Sequence, residues 1–422
     1  MKRNAIKITM KQRVKCPICS FKKIVPVFKY KDTPLEDNFV SIKEKKNKQK
    51  LFPLVQMLCK KCGHVFLKHI VNQKENYLYY LYNTEVTLGL KKHFDKYAKK
   101  IVKDFKLKRN SFCVDVGSND GSMLASLKKQ KMHVMGVEPC YNISKQANRN
   151  GLKTINSFFD NKTVDKIRSL NGPAKLITLN YIYANADNVL DFTSNLKRLL
   201  DYDGILVIET GYHPEQMKNK MFDYVYHEHF SYFTLQNIKF IFDTIGLELL
   251  SAEVTRPKGG SLRIVAQHRG GFRRQQNSIK SILNYEKRFG TKKINTYKKF
   301  FQIIERQRKI ISSKLNKFKK QGKKIVGLGA SHSTTVMLYH FKIKDYLKYI
   351  VDDNRRKHNL FSPGYHIPVY STEKIYKDKI DVVFILAWQH QNAIIKKHRK
   401  FLKSKRIFVV PLPNYKEVRI VK

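Results

Sequence analysis

Two Cys-x-x-Cys pairs, Cys16-Pro-Ile-Cys19 and Cys59-Lys-Lys-Cys62, constrain this chain more than any other feature. Each pair sets two thiols on a tight turn, and four converging sulfurs make one closed tetrahedral site. Residues 20–58 must therefore fold back on themselves as a small β-rich excursion. Gly63, directly after the second pair, suits a knuckle that needs a positive φ. Zinc is the expected ion, held for structure, because a site closed by four protein ligands leaves no open position for chemistry. Only six cysteines occur in 422 residues, too few for a disulfide scaffold. Cys113 and Cys140 stand alone and read as small apolar side chains.

The net charge of +51 suggests a polyanionic partner. The basic residues are spread through Lys43–Lys50, Lys91–Arg109, Lys292–Lys324 and Lys396–Arg406, as lysines on ordinary solvated faces would be. Nucleic acid is therefore not the favoured partner. Met1–Lys15 carries charge throughout and lacks the apolar core of a secretory signal, and the longest apolar run, Val382–Trp388, falls short of a membrane span. The expectation is a cytoplasmic protein without a membrane partner.

From Ser111 to Gln267, short apolar runs alternate with helical periods: Phe112–Val116, a helix from Ser122, His133–Glu138, a helix from Tyr141, Leu176–Asn180, a helix over Val189–Leu200, and Ile205–Glu209. A βαβα series builds a parallel sheet with ligands at the carboxyl ends of its strands. Leu247–Val254 and Leu262–Gln267 add an antiparallel hairpin, which suits a class I methyltransferase. The first turn, Val114-Asp-Val-Gly-Ser-Asn-Asp-Gly121, is not a GxGxxG. Its carboxylates would repel a pyrophosphate but fit the ammonium and sulfonium of S-adenosylmethionine. Asp115, Gly117, Ser118, Asn119, Asp120, Gly121 and Asn180 are the expected cofactor residues, with Glu138 accepting the ribose hydroxyls.

Tyr226-His-Glu-His229 packs four functional side chains into consecutive positions. Histidine is the natural base near neutral pH, and a neighbouring carboxylate or phenol can tune it. A metal reading fails, because HEH lacks the HExxH spacing. Phe272–Lys320 carries helical spacing and should bridge two domains. A second strand–turn–helix begins at Lys324-Ile-Val-Gly-Leu-Gly-Ala-Ser331. Its glycines and hydroxyls, Gly329, Ser331 and Ser333, form a candidate phosphate seat. Asp352 and Asp353 mimic an NAD fingerprint, but the third glycine is missing.

These motifs together resemble the sugar C-methyltransferases that act on nucleotide-linked keto-deoxysugars. The resemblance runs through both CxxC pairs, Tyr80-Leu-Tyr-Asn-Thr84, Val114–Gly121, Gly136-Val-Glu-Pro139, Tyr226–Tyr232, Gly259-Gly-Ser-Leu-Arg263, Gly327–Ser331 and Pro363–Pro368. It implies an α/β protein with a zinc-binding domain (1–75), a class I Rossmann-like methyltransferase domain (76–270), a helical linker (271–322) and a carboxy-terminal Rossmann-like domain (323–422). It implies His229 as base with Tyr226, Glu228 and Tyr82 beside it, and Arg263 with the second turn at the substrate. Two positions depart from the family: Ala184 and Lys258 stand where histidines are usual. An RNA methyltransferase with a zinc-ribbon reader and a binding module without activity stay open as alternatives. Composition leaves the oligomeric state unread.

Overall fold

The structure is a computed structural model, and it describes residues 9–72, 84 and 89–420. Strands β1 (Met10–Gln12), β2 (Ile24–Lys29), β3 (Val55–Cys59), β4 (Val65–Leu67) and β5 (His69–Val71) follow in the amino-terminal segment. The middle segment holds β6 (Phe112–Val116), β7 (His133–Val137), β8 (Thr154–Ile155), β9 (Ala174–Asn180), β10 (Leu200–Gly211), β11 (Ser231–Tyr232), β12 (Leu247–Thr255) and β13 (Ser261–His268). Seven of these form one sheet in the order β12-β13-β10-β9-β6-β7-β8. The five strands from β10 to β8 run parallel, and β13 pairs antiparallel with both β10 and β12. Near-continuous burial of β6 and β9 reflects helices on both faces, as parallel strands require.

The carboxy-terminal sheet comprises β14 (Ile325–Leu328), β15 (Leu347–Asp352), β16 (Val369–Ser371), β17 (Val382–Ile385), β18 (Ile407–Val410) and β19 (Lys416–Val418), in the order β16-β15-β14-β17-β18-β19. Only β19 is antiparallel to its neighbour. The helices Ser278–Phe289 and Ile294–Lys320 lie between the two sheets in sequence. The longer one buries Tyr297, Phe300, Ile304, Gln307, Ile311, Leu315 and Phe318, spaced by three and four, so one stripe packs and the lysines face water. No helix among the described residues is long and apolar enough to cross a membrane.

The amino-terminal segment is not self-contained. Its sheet, ordered β11-β4-β3-β2, takes its outer strand from the middle segment, where Ser231 pairs with Phe66 and Tyr232 with Val65. Cys16, Cys59 and Phe66 share a core with Phe233 and Ile238, while Phe28, Tyr30 and Phe39 join a core that runs through Phe222 to Phe341. Val40 also bridges Phe361 of the carboxy-terminal segment. The segment that follows the Tyr226–His229 run is thus held in the amino-terminal sheet.

Candidate active site

The four predicted thiols converge. All four sulfurs lie within 4.8 Å of one another, with Cys16 Sγ 3.6 Å from Cys62 Sγ and Cys19 Sγ 3.5 Å from Cys59 Sγ. A zinc ion with Zn–S near 2.3 Å needs sulfurs about 3.8 Å apart, so the residues fit that ion. The knuckle is anchored to the middle segment, where Asn237 Nδ2 donates to the Cys62 carbonyl at 3.1 Å.

A cavity of about 760 Å³ opens at the carboxyl ends of β6, β7 and β9. Asp115, Gly117, Ser118, Asn119, Glu138 and Asn180 line it. Gly117 turns at φ 70°, and a Cβ there would come 2.7 Å from Ile182 Cδ1, so only glycine fits. Glu138 accepts hydrogen bonds from Asn119 N (3.0 Å) and Cys140 N (2.8 Å). A carboxylate offers about four acceptor positions, so two remain for vicinal hydroxyls. Asp115 accepts from Thr178 Oγ1 at 2.6 Å and from Asn180 Nδ2 at 3.2 Å. Among the described residues, the buried Asn180 Oδ1 and Ser118 Oγ atoms have no hydrogen-bond partner. Burial raises the carboxyls of Asp115 and Glu138 to about 7 each. Buried acceptors and acids lacking a cation fit the ammonium, sulfonium and ribose of S-adenosylmethionine.

Two expected cofactor residues lie off the cavity lining. Asp120 turns back to cap the next helix, accepting from Ser122 N (3.0 Å) and Ser122 Oγ (2.6 Å). Gly121 takes φ 80° there, and a Cβ would meet Leu152 Cδ1 at 2.5 Å. Both serve the start of the helix Ser122–Lys129.

Across the same cavity stand Tyr226, Glu228 and His229. His229 and Tyr226 have ring centroids 4.1 Å apart, and His229 Nδ1 lies 3.0 Å from the Tyr224 carbonyl. A carbonyl can only accept, so Nδ1 carries the proton and Nε2 the lone pair. Burial lowers the His229 pKa to about 3, keeping the ring neutral. His227 points elsewhere: fully buried, its ring Nε2 meets Thr33 Oγ1 at 3.2 Å, and its backbone N–H donates to Glu36 Oε1. Ala184 does not line the cavity; its carbonyl accepts from Phe230 N at 2.7 Å and steadies the histidine loop, while the adjacent Asn185 does line it. Lys258 faces the cavity at φ 55°, with Nζ 5.5 Å from the Tyr181 ring. Tyr82 lies outside the described residues; Thr84 donates its N–H to Asn119 Oδ1 at 2.8 Å.

The expected substrate residues are placed elsewhere. Arg263 is buried against Glu209, with Nε at 3.0 Å and Nη2 at 2.8 Å from Oε2, and its guanidinium sits 4.0 Å above the Tyr97 ring. His93, Tyr181 and Thr255 complete the hydrogen bonds to Glu209. Burial alone would raise that carboxyl, but His93 and Arg263 hold it down at about 2. Arg263 thus compensates a buried charge and does not line the cavity. Gly329, Ser331 and Ser333 do not line it either. Around that turn Gly329 N donates to Val351 O, Ala330 N to Asp352 Oδ2 and Ser331 N to Thr334 Oγ1. The donors that would cradle a phosphate already hold groups of the chain itself.

Sequence reasoning gave no role to Tyr181 and His332, which also line the cavity. Tyr181 follows Asn180 in a left-handed conformation (φ 63°) with its hydroxyl 2.8 Å from Glu209 Oε1. Its partner is 28 positions away, so no local pattern marks it. His332 directly follows the second glycine turn, and that position was its only signal.

The family model for a zinc-binding domain matches residues 16–77, that for a methyltransferase domain residues 90–252, and that for a C-methyltransferase C-terminal domain residues 256–413. C-methyltransferase NovU of Streptomyces niveus is 26% identical over 400 residues, covering 94% of this chain and 95% of NovU. Among solved structures, magnesium protoporphyrin IX methyltransferase of Synechocystis PCC 6803 with bound SAM is 15% identical, covers 43% of this chain and 81% of its own, and has a TM-score of 0.33. The plantazolicin methyltransferase BpumL with an analogue and SAH is 12% identical, covers 44% and 87%, and has a TM-score of 0.36. Models for a zinc-binding domain, a methyltransferase domain and a C-methyltransferase carboxy-terminal domain thus match in series along this chain, which is an S-adenosylmethionine-dependent methyltransferase similar to a C-methyltransferase over nearly its whole length.

Proposed function

We propose that this enzyme methylates a carbon beside the ketone of a nucleotide-linked keto-deoxysugar, with His229 as the general base. The observation that carries the reading is the single neutral tautomer of His229, whose Nε2 lone pair belongs to the same cavity as Asp115 and Glu138. A heteroatom nucleophile is already electron-rich, but a carbon beside a ketone must first lose a proton to a positioned base. Asp115, Glu138 and Asn180 hold the donor, which supplies an electrophilic methyl. Tyr226 and Asn185 border the place where enolate charge would develop and can donate hydrogen bonds to it. Glu228, 3.6 Å from His332, anchors the loop that carries the base. Tyr82 is retained as a site residue by the resemblance of Tyr80–Thr84. The four thiols would hold zinc for folding alone. A net charge of +51 would speed encounter with a nucleoside diphosphate group.

The test is product analysis with a ¹³C-methyl donor and a panel of thymidine- and uridine-diphosphate keto-deoxysugars. A new methyl carbon bonded to a ring carbon is expected. A methyl on oxygen, or methylation of RNA in place of every sugar, would overturn the reading.

A further inference from the structure

We infer that His332 is a second catalytic imidazole of this site, donating a hydrogen bond to the substrate's ketone oxygen while His229 takes the proton from carbon. The inference rests on the keto-substrate reading above and adds to it a residue from the carboxy-terminal segment.

His332 is the first residue of the helix His332–Phe341 and lines the same cavity as Tyr226, Glu228 and His229. Its Nε2 lies 3.6 Å from Glu228 Oε1 and 3.9 Å from Asp37 Oδ2, and its ring centroid is 5.8 Å from that of Tyr226. Asp37 is fixed in turn by Lys357 Nζ at 3.1 Å, which also donates to the Ala330 carbonyl at 2.7 Å. The cluster thus draws on all three parts of the chain. Two carboxylates within 4 Å of His332 Nε2 favour an imidazolium there, and Lys357 sits against one of them.

The charged neighbours among the described residues act in both directions. Glu36 also feels His332, but burial raises its carboxyl to about 8, so it is neutral near pH 7. Burial and Lys357 oppose the imidazolium, yet Asp37 and Glu228 outweigh them and raise the His332 pKa above its ordinary value. His229, across the cavity, is pushed the other way. Two titratable groups driven apart by their surroundings form the pattern of an acid paired with a base. An imidazolium has two N–H donors, so it can meet the carboxylates and a substrate oxygen together.

The step balances without an oxidant or reductant. The C–H bond breaks, its proton goes to His229 Nε2, and its electron pair becomes the C=C bond. The carbonyl π pair moves to oxygen, where the His332 N–H meets it. When the ketone reforms, His332 still holds its proton.

The experiment follows exchange of the α-proton with deuterated solvent, using thymidine diphosphate-4-keto-6-deoxyglucose and its uridine analogue as probes in the presence of S-adenosylhomocysteine. His332→Phe should slow exchange about 10²-fold while donor affinity stays near wild type. His332→Gln, an uncharged donor, should recover part of the rate. Wild-type exchange should fall at high pH as His332 loses its proton, and Asp37→Asn should move that fall to lower pH. Wild-type exchange unchanged by His332→Phe sinks the role of His332 and leaves the keto-sugar reading standing. Should His332→Phe fail to fold, an alkaline limb unmoved by Asp37→Asn sinks it equally. No exchange by the wild type contradicts the keto-sugar reading, and the proposal falls with it.

Discussion

The two strand–turn–helix units of this chain, Val114–Gly121 and Gly327–Ser331, share a sequence grammar of glycines and hydroxyls after a buried strand. The first turn leaves Asn180 Oδ1 and Ser118 Oγ beside it buried without partners among the described residues, and gathers Asp115 and Glu138 around the cavity. The second has its backbone donors taken by Val351, Asp352 and Thr334. A glycine turn therefore announces a close approach of backbone, and only the surrounding acceptors decide whether a ligand or the protein fills it. In the reading proposed above the first turn receives the cofactor, whereas the second has its donors taken and brings His332 to the cavity.

The largest expected effect lies beneath the first sheet. Arg263→Met would strand the Glu209 carboxylate in a buried site, a change that costs about 3–5 kcal/mol. Denaturant unfolding should report that loss, and full stability with only a raised KM would return Arg263 to the substrate. Glu138→Ala removes a buried carboxylate from the first turn, and charged hydrogen bonds are worth about 1.5–3 kcal/mol each. Calorimetry should find S-adenosylmethionine binding weaker by at least about tenfold. Asp352→Ala at the second turn leaves Ala330 N–H unpaired, a cost of about 1–3 kcal/mol in stability. Donor affinity should not change; a loss of donor binding would erase the contrast between the turns.

A smaller effect concerns pH. Asp115 and Glu138 titrate near 7, above their unfolded values, so without the donor their contribution favours the folded state at low pH and is lost as pH rises from about 4 through 7. A bound cation favours their ionised forms. Donor affinity should therefore climb as pH rises through 7, with proton release visible by calorimetry in buffers of different ionisation enthalpy. A flat profile would contradict the binding of a cationic donor beside these carboxyls.

Much of this was legible in the sequence wherever a local period or spacing carried the signal. The CxxC pairs, the alternation from Phe112 to Glu209, and the three–four spacing from Tyr297 to Phe318 each translate directly into a formed element. What escaped depends on partners far along the chain. The two-residue strand Ser231–Tyr232 has no pattern of its own and exists because Val65 and Phe66 receive it. Arg263 read as a substrate ligand through the resemblance of Gly259-Gly-Ser-Leu-Arg263; its partner Glu209 lies 54 positions away, where no local pattern marks it. Ser331 and Ser333 read as a phosphate seat, yet the Asp352 carboxylate that fills the turn belongs to the next strand. His227 and His229 are indistinguishable by spacing, and only the fold turns one into the cavity.

If His229 makes the carbon nucleophile, single-turnover methyl transfer must depend on it, and His229→Asn removes that base. Asparagine keeps much of the size and the ability to hydrogen-bond, but cannot accept the proton. Transfer should be slower by at least about 10², with S-adenosylmethionine affinity near that of the wild type. A variant that retained nearly full transfer would contradict that role of His229.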